Sequence, residues 1–226
     1  MSTQDNSVVD LVVGVEGDAT EALTARAKSK LATRKKVMDS ARDLFITRGF
    51  EAATIRDIAS GAGLSTGAVF ANFRDKTDLF LAVLEAEADQ VGAAVVEADL
   101  NSGSVFERID SQLRAAVAYG YPRRSLLLAA FVIDANSQDA RISDLQKISA
   151  AFNRAVRSVL DQALEVGELR SGVDTAVAAE MIEMIGFNNL RLAALDNPAE
   201  KYVLSRTSAQ IRMLLQGLAS DQKLAA

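Results

Sequence analysis

The chain has 226 residues, a net charge of −5, and neither cysteine nor histidine. Without thiols there are no disulfides, no cysteine metal sites and no cysteine nucleophiles. Without imidazoles the commonest general base and the commonest metal ligand are also missing. No catalytic residue, metal site or cofactor is expected, and an enzyme is the weaker class.

Apolar residues make up 49% of the chain, enough for a sizeable core and too many for a wholly disordered protein. Only two prolines occur, Pro122 and Pro198, and alanine and leucine abound, so the expected fold is all-α with short loops. Residues 1–25 contain five acids and no base, which does not suit a secretory signal. No run approaches the roughly 18 apolar residues of a membrane span. A cytoplasmic protein with no membrane partner is expected. The charge is unevenly distributed: residues 26–78 hold 11 bases against six acids, whereas residues 79–226 hold 14 against 19. One basic segment in an acidic chain permits a localised docking surface for nucleic acid and argues against non-specific coating.

In chain order, residues 1–25 read as a disordered tail with a transient extended piece at Val8–Val13. A helix is predicted from about Ala25 to a stop at Gly49, with Leu31, Val37, Ala41, Leu44 and Phe45 along one face. Thr54 followed by Asp57 resembles a capping box that opens a short helix, Ile55–Ser60. Ser65 can cap the next, running to about Asn72, and Asp75 a long fourth helix with a stripe of Leu79, Phe80, Val83, Leu84, Val91 and Val95. Beyond residue 100 about five more helical patterns follow, separated by turn-rich stretches at 101–104, 119–122, 136–139, 166–174 and 195–200.

The segment GAGLSTGAVFANF at 61–73 places three glycines within seven positions of an otherwise helical pattern. A helix-turn-helix template laid on Ile55–Arg74 accounts for them. Ala59 falls where two helices touch, Gly63 falls at a turn that needs positive φ, and Ile58, Leu64 and Val69 fall at buried positions. Gly67 lies in the first turn of the second helix. There it either lets the backbone approach DNA closely or relieves crowding against the preceding helix.

Residues 33–84 resemble the DNA-binding domain of the TetR family of bacterial transcriptional repressors. The likeness is carried by the Ala41–Phe50 run, by the T-I-R-D-I-A start of the second helix, by G-L-S-T-G-A-V-F, and by N-F-x-x-K at Asn72–Lys76. It implies a three-helix DNA-binding domain over 26–78 and a helical ligand-binding and dimerisation domain over 79–220. It also implies that Thr54 meets a phosphate and that Arg56 reaches a phosphate or base edge. Ser65, Thr66 and Gly67 would contact bases, with Ala68 and Val69 beside them, and Asn72 and Lys76 would contact phosphates. Family members often carry tyrosine where this chain has Phe70, which can offer packing against sugar or a thymine methyl but no hydroxyl.

Phe45, Phe50 and Phe73 read as core, and Arg42 and Arg48 as solvated face. The basic cluster Arg26, Lys28, Lys30, Arg34, Lys35 and Lys36 fits either a minor-groove arm or a solvated surface drawn diffusely to phosphate.

On the helix from about Thr175 to Leu195, Ala178, Ile182, Ile185 and Leu192 form one apolar face, with Asn189 among them. Val177, Met181, Met184 and Leu195 form a second. So wide an apolar arc must be covered on two sides, which with the stripe Leu204, Ile211, Leu214, Leu215 and Leu218 points to a two-fold homodimer on a palindromic operator. The alternative is that both helices are interior to one monomer. Tyr119, Tyr121, Arg123, Phe131, Asn153, Phe187 and Asn188 are candidate contacts for a hydrophobic or amphipathic effector, and Arg124 could serve an anionic one. Competing readings are an activator or co-regulator without a small ligand, and a helical lipid carrier or enzyme that uses acids such as Glu180 and Glu183.

Overall fold

The computed structural model describes residues 7–136 and 149–219. Among these residues it is all-α: nine helices, one short 3-10 turn, and a single isolated bridge between Leu169 and Ala219. No helix among them is long and apolar enough to cross a membrane.

Helix α1 (Ser7–Arg48) is 42 residues long and starts well before the expected position. The reading of a disordered tail, with an extended piece at Val8–Val13, is therefore corrected for residues 7–25, which are helical. The physical reason is continuity. No proline interrupts the run, and from Asp18 to Lys36 alanine, leucine, lysine, arginine and glutamate predominate, so nothing stops propagation from the packed part of the helix. Residues 1–6 lie outside the described residues.

After α1 come α2 (Ile55–Gly61) and α3 (Thr66–Phe70), each shorter than three turns. Their stability comes from packing rather than propensity. Val37, Ala41 and Phe45 of α1, Ile58 and Ala59 of α2, and Val69 of α3 are buried together with Phe73 and with Leu79, Phe80, Val83 and Leu84 of α4 (Lys76–Glu97). Phe45 and Phe80 meet edge to face at 5.3 Å, and Phe50 closes the group 4.8 Å from Phe80. Phe45, Phe50 and Phe73 thus belong to the core, as their spacing implies. Because α4 enters this core with its first half, the expected division after residue 78 falls inside a continuous helix.

The rest is a helical bundle. It comprises α5 (Val105–Gly120), a 3-10 turn at Tyr121–Arg123, α6 (Arg124–Asn136), α7 (Ala150–Glu165), α8 (Thr175–Asp196) and α9 (Glu200–Leu218). The turn predicted at 136–139 lies, from residue 137 on, outside the described residues. A second core joins Val95 of α4, Ile109 and Leu113 of α5, Val156 and Leu160 of α7, Ala178 and Ile182 of α8, and Ile211 and Leu215 of α9. Two elements tie the halves together. Helix α4 runs through both cores, and α6 returns Leu126 and Ala130 to the first. The bend between α4 and α5 is held by Arg108, which grips Asp99 through two parallel hydrogen bonds of 2.9 and 2.7 Å.

Candidate nucleic-acid interface and interior cavity

The corner between α2 and α3 is built by local chemistry. Thr54 caps α2 in a reciprocal box, accepting from the Asp57 amide at 3.1 Å and donating to its carboxylate at 2.7 Å. The Thr54 hydroxyl, followed by its amide and by Arg48 and Arg56, holds the Asp57 carboxyl below its ordinary value. Gly63 takes φ +67° at the corner, a left-handed conformation that side chains rarely adopt. Ser65 then caps α3 by accepting from the Ala68 amide.

One of the two readings of Gly67 fails on geometry. A Cβ placed there would meet nothing nearer than its own neighbour Ser65 Oγ, at 3.7 Å. No preceding helix crowds it, and the bare backbone faces outward. Ser65, Thr66 and Gly67 are exposed, and so is Phe70, which leaves 55% of its surface uncovered although it is a large apolar side chain on a short helix. Arg56 is likewise exposed. These residues are all exposed on the two helices of the corner, while Val69 of α3 is fully buried.

Two sequence-selected residues are placed differently. The Lys76 ammonium donates to the carbonyls of Phe50 (2.9 Å), Glu51 (3.3 Å) and Ala53 (3.3 Å) and lies 4.3 Å from the Phe50 ring centre. Its three hydrogens are occupied in tying the α1–α2 loop to α4, where the sequence reading assigned it to a phosphate. Asn72 turns its amide back onto the Ala68 carbonyl at 2.9 Å, and its side-chain oxygen is buried. Its backbone carbonyl accepts from Arg34, whose guanidinium stacks 4.1 Å from Phe73.

Behind this surface the bundle forms a half-open cavity of about 860 Å³ between α4, α5, α6, α7 and α8. Its lining is chiefly apolar, with Leu84, Val91, Leu113, Val117, Leu127, Phe131 and Phe187 prominent. Of the sequence candidates, Tyr119, Arg123, Phe131, Asn153 and Phe187 line it, as do Glu180 and Glu183. Tyr121 and Asn188 do not. The Tyr121 hydroxyl donates to the Pro198 carbonyl, and Asn188 is exposed and accepts from Arg191 at 2.9 Å. Arg124 is likewise engaged with the Ala193 carbonyl and Asn197 at the end of α8.

The residue that sequence reasoning missed is Glu87. It is 9% exposed in the cavity wall, accepts from the Tyr119 hydroxyl at 3.0 Å, and lies 2.7 Å from Arg123 Nε and 3.9 Å from Arg42 of α1. Burial, then the hydrogen bond to Glu87, pushes the Tyr119 phenol above its usual value. The available signal was position: Glu87 lies four residues after Val83 on the apolar side of α4. Asn153 in turn donates to Glu183 at 3.0 Å.

A short, capped helix pair with an outward glycine and a buried opposite face, joined through α4 and α6 to a bundle with a half-open cavity, defines a helix-turn-helix DNA-binding protein with a cavity behind its reading helices. A family model described as bacterial regulatory proteins, tetR family, matches residues 37–83. Residues 37–83 therefore carry the DNA-binding domain of the TetR family of bacterial transcriptional regulators.

Among its relatives, the HTH-type transcriptional repressor Rv1474c of Mycobacterium tuberculosis is 27% identical over 175 residues, covering 68% of this chain and 91% of that protein. The HTH-type transcriptional repressor AcnR of Corynebacterium glutamicum is 27% identical over 153 residues, covering 68% of this chain and 77% of that protein. The fold is similar to that of the transcriptional regulator FadR from Bacillus subtilis, solved in complex with stearoyl-CoA. That likeness has a TM-score of 0.69 at 15% identity and covers 81% of this chain and 98% of FadR.

Proposed function

We propose that this regulator is a homodimeric repressor that reads a palindromic operator with α3 and is released when a hydrophobic or amphipathic small molecule fills the cavity. The observation that carries the reading is the double role of α4. Leu79, Phe80, Val83 and Leu84 form part of the helix-turn-helix core, and Leu84, Glu87, Ala88 and Val91 form the cavity wall. A ligand that displaces α4 must therefore move the DNA-reading head. It shifts the population toward a separation of heads that no longer matches successive major grooves, to the extent that it prefers that state.

At the DNA, Ser65, Thr66 and Gly67 take the base edges. Thr66 suits several bases and thymine methyls, Phe70 offers apolar packing, and Arg56 meets phosphate. The exposed first turn of α2 beside Thr54 adds a backbone contact. At the cavity, Tyr119, Arg123 and Asn153 supply the polar contacts, and Phe131 and Phe187 the aromatic ones.

The dimer is supported by α8. Its inward face, with Ala178, Ile182 and Asn189, is buried, while Val177, Met181, Met184 and Leu195 project from the other side, 46–70% exposed. Asn188 falls on that outer stripe. Apolar side chains aligned on one face of a helix require a cover, and a second copy related by a two-fold axis supplies one.

Selection of bound sequences from random duplex DNA tests the proposal. A recovered palindrome bound by two chains supports it. Failure to enrich any sequence, with and without cell extract, overturns the DNA-reading role. Loss of expression from a reporter on deletion of the gene would indicate an activator instead.

A further inference from the structure

We propose that α1 upstream of Arg34 is a second DNA-contacting element, a helical ridge on which Arg26 and Lys30 meet the phosphate backbone flanking the site read by α3. The inference rests on the DNA-reading role of α3 and extends the interface beyond the helix-turn-helix.

Its basis is the register of α1. Val37, Ala41 and Phe45, spaced by four, form the buried stripe of that helix. Continued upstream with helical periodicity, the same face carries Arg34, Lys30 and Arg26, again spaced by four. Where the core ends, the stripe changes from apolar to basic. Arg34 marks the crossing point. It stacks on Phe73 and donates to the Asn72 carbonyl at 2.8 Å, which fixes this face of α1 against the end of α3.

Beyond Arg34 the face has no core to cover, and Arg26 and Lys30 are exposed. Arg26 lies about 12 Å further along the helix axis at 1.5 Å per residue. That carries positive charge past the edge of the helix-turn-helix, beyond the point where Arg34 meets the end of α3. Residues 25–36 contain six bases and no acid. The partner such a ridge fits is a row of phosphates, approached by a rigid helix from outside the groove. Because the segment is helical, the arm threading a narrow minor groove is replaced by backbone contact. Lys35 pairs with Asp39 at 2.7 Å, whereas Lys28 and Lys36 project from the far side of the helix and serve as an internal control of equal charge.

The experiment compares Arg26→Ala/Lys30→Ala with Lys28→Ala/Lys36→Ala across a salt titration. Each is tested on the selected operator and on a duplex of unrelated sequence. Every phosphate that is no longer neutralised lowers the slope of log affinity against log salt by about 0.9; with two residues removed from each of two protomers, the slope should fall by about 3.6 in the ridge variant and by less than half of that in the control. Hydroxyl-radical protection should shrink at both flanks only in the ridge variant. Equal slopes for the two variants, or an unchanged footprint, overturn the proposal. Arg26→Gln/Lys30→Gln, which keeps helix-favouring side chains, must give the same result as the alanine pair. The unrelated duplex reads the ridge even when no operator is enriched. Failure of the DNA-reading role is therefore separable from failure of the ridge.

Discussion

Replacing Lys76 by methionine keeps an unbranched apolar stem against the Phe50 ring and deletes only the ammonium. Three carbonyls then lose their charged donor: Phe50 at 2.9 Å, and Glu51 and Ala53 at 3.3 Å. A hydrogen bond from a charged group contributes about 1.5–3 kcal/mol. The short contact counts nearly in full. The two longer ones are weaker, and water replaces the donor at the exposed Glu51 carbonyl. The sum is a loss of about 2–3 kcal/mol. In a chain of this size each kcal/mol lowers Tm by about 2–4 °C, so Tm should fall by about 5–10 °C.

Two measurements decide the matter: thermal unfolding, and the salt dependence of operator affinity at a temperature where the variant is folded. The slope should be unchanged, because the ammonium is turned inward. Arg56→Ala is the comparator. It is exposed in the first turn of α2 and, present once in each protomer of the proposed dimer, should lower the slope by about 1.8 while leaving Tm almost unaltered. A Lys76→Met protein with wild-type Tm and a slope lower by about two units would refute the reasoning and return this lysine to the phosphates.

Gly67→Asp should abolish operator binding in a folded, dimeric protein, since the added carboxylate points outward into open space; wild-type affinity in that variant would remove Gly67 from the interface. Asp99 is held below its ordinary carboxyl value chiefly by its hydrogen bond to Arg108. This stabilisation is present above the ordinary carboxyl range and is lost as pH falls through the lowered value. Stability measured by urea unfolding should therefore decline on acidification less steeply in Asp99→Asn, and parallel acid limbs would contradict the assignment. Met181→Glu/Met184→Glu should abolish the proposed dimer in sedimentation without changing helical content, because both side chains are exposed within one chain and like charges would meet across the proposed two-fold axis.

Wherever neighbours in sequence settle a conformation, the chain could be read directly. Thr54, Ser65 and Asp75 announce three helix starts because capping joins residues three apart. Gly63 announces the corner because only one residue type takes that φ without strain. The stripes Val37–Ala41–Phe45 and Ala178–Ile182 announce core because burial repeats with the helical period. The resemblance to the TetR family needed no more than such local patterns, which is why it rests on residues 33–84.

What the sequence alone determined, then, is the helical class, the helix-turn-helix and the presence of an apolar bundle behind it. Tertiary structure decided which polar groups face which space. Lys76 finds carbonyls 23 to 26 residues upstream, a distance that no helical period spans. Tyr119 enters the cavity, but Tyr121 leaves it because α5 ends at Gly120 between them and the 3-10 turn rotates the next side chain toward Pro198. Glu87 looks like solvated surface within EAEAD until the bundle closes over it and brings Tyr119, Arg123 and Arg42 to its carboxylate. The physical reason is common to all three. Caps, turns and stripes are energies of neighbouring residues, whereas the partner of a buried charge is fixed only when helices far apart in the chain pack and exclude water.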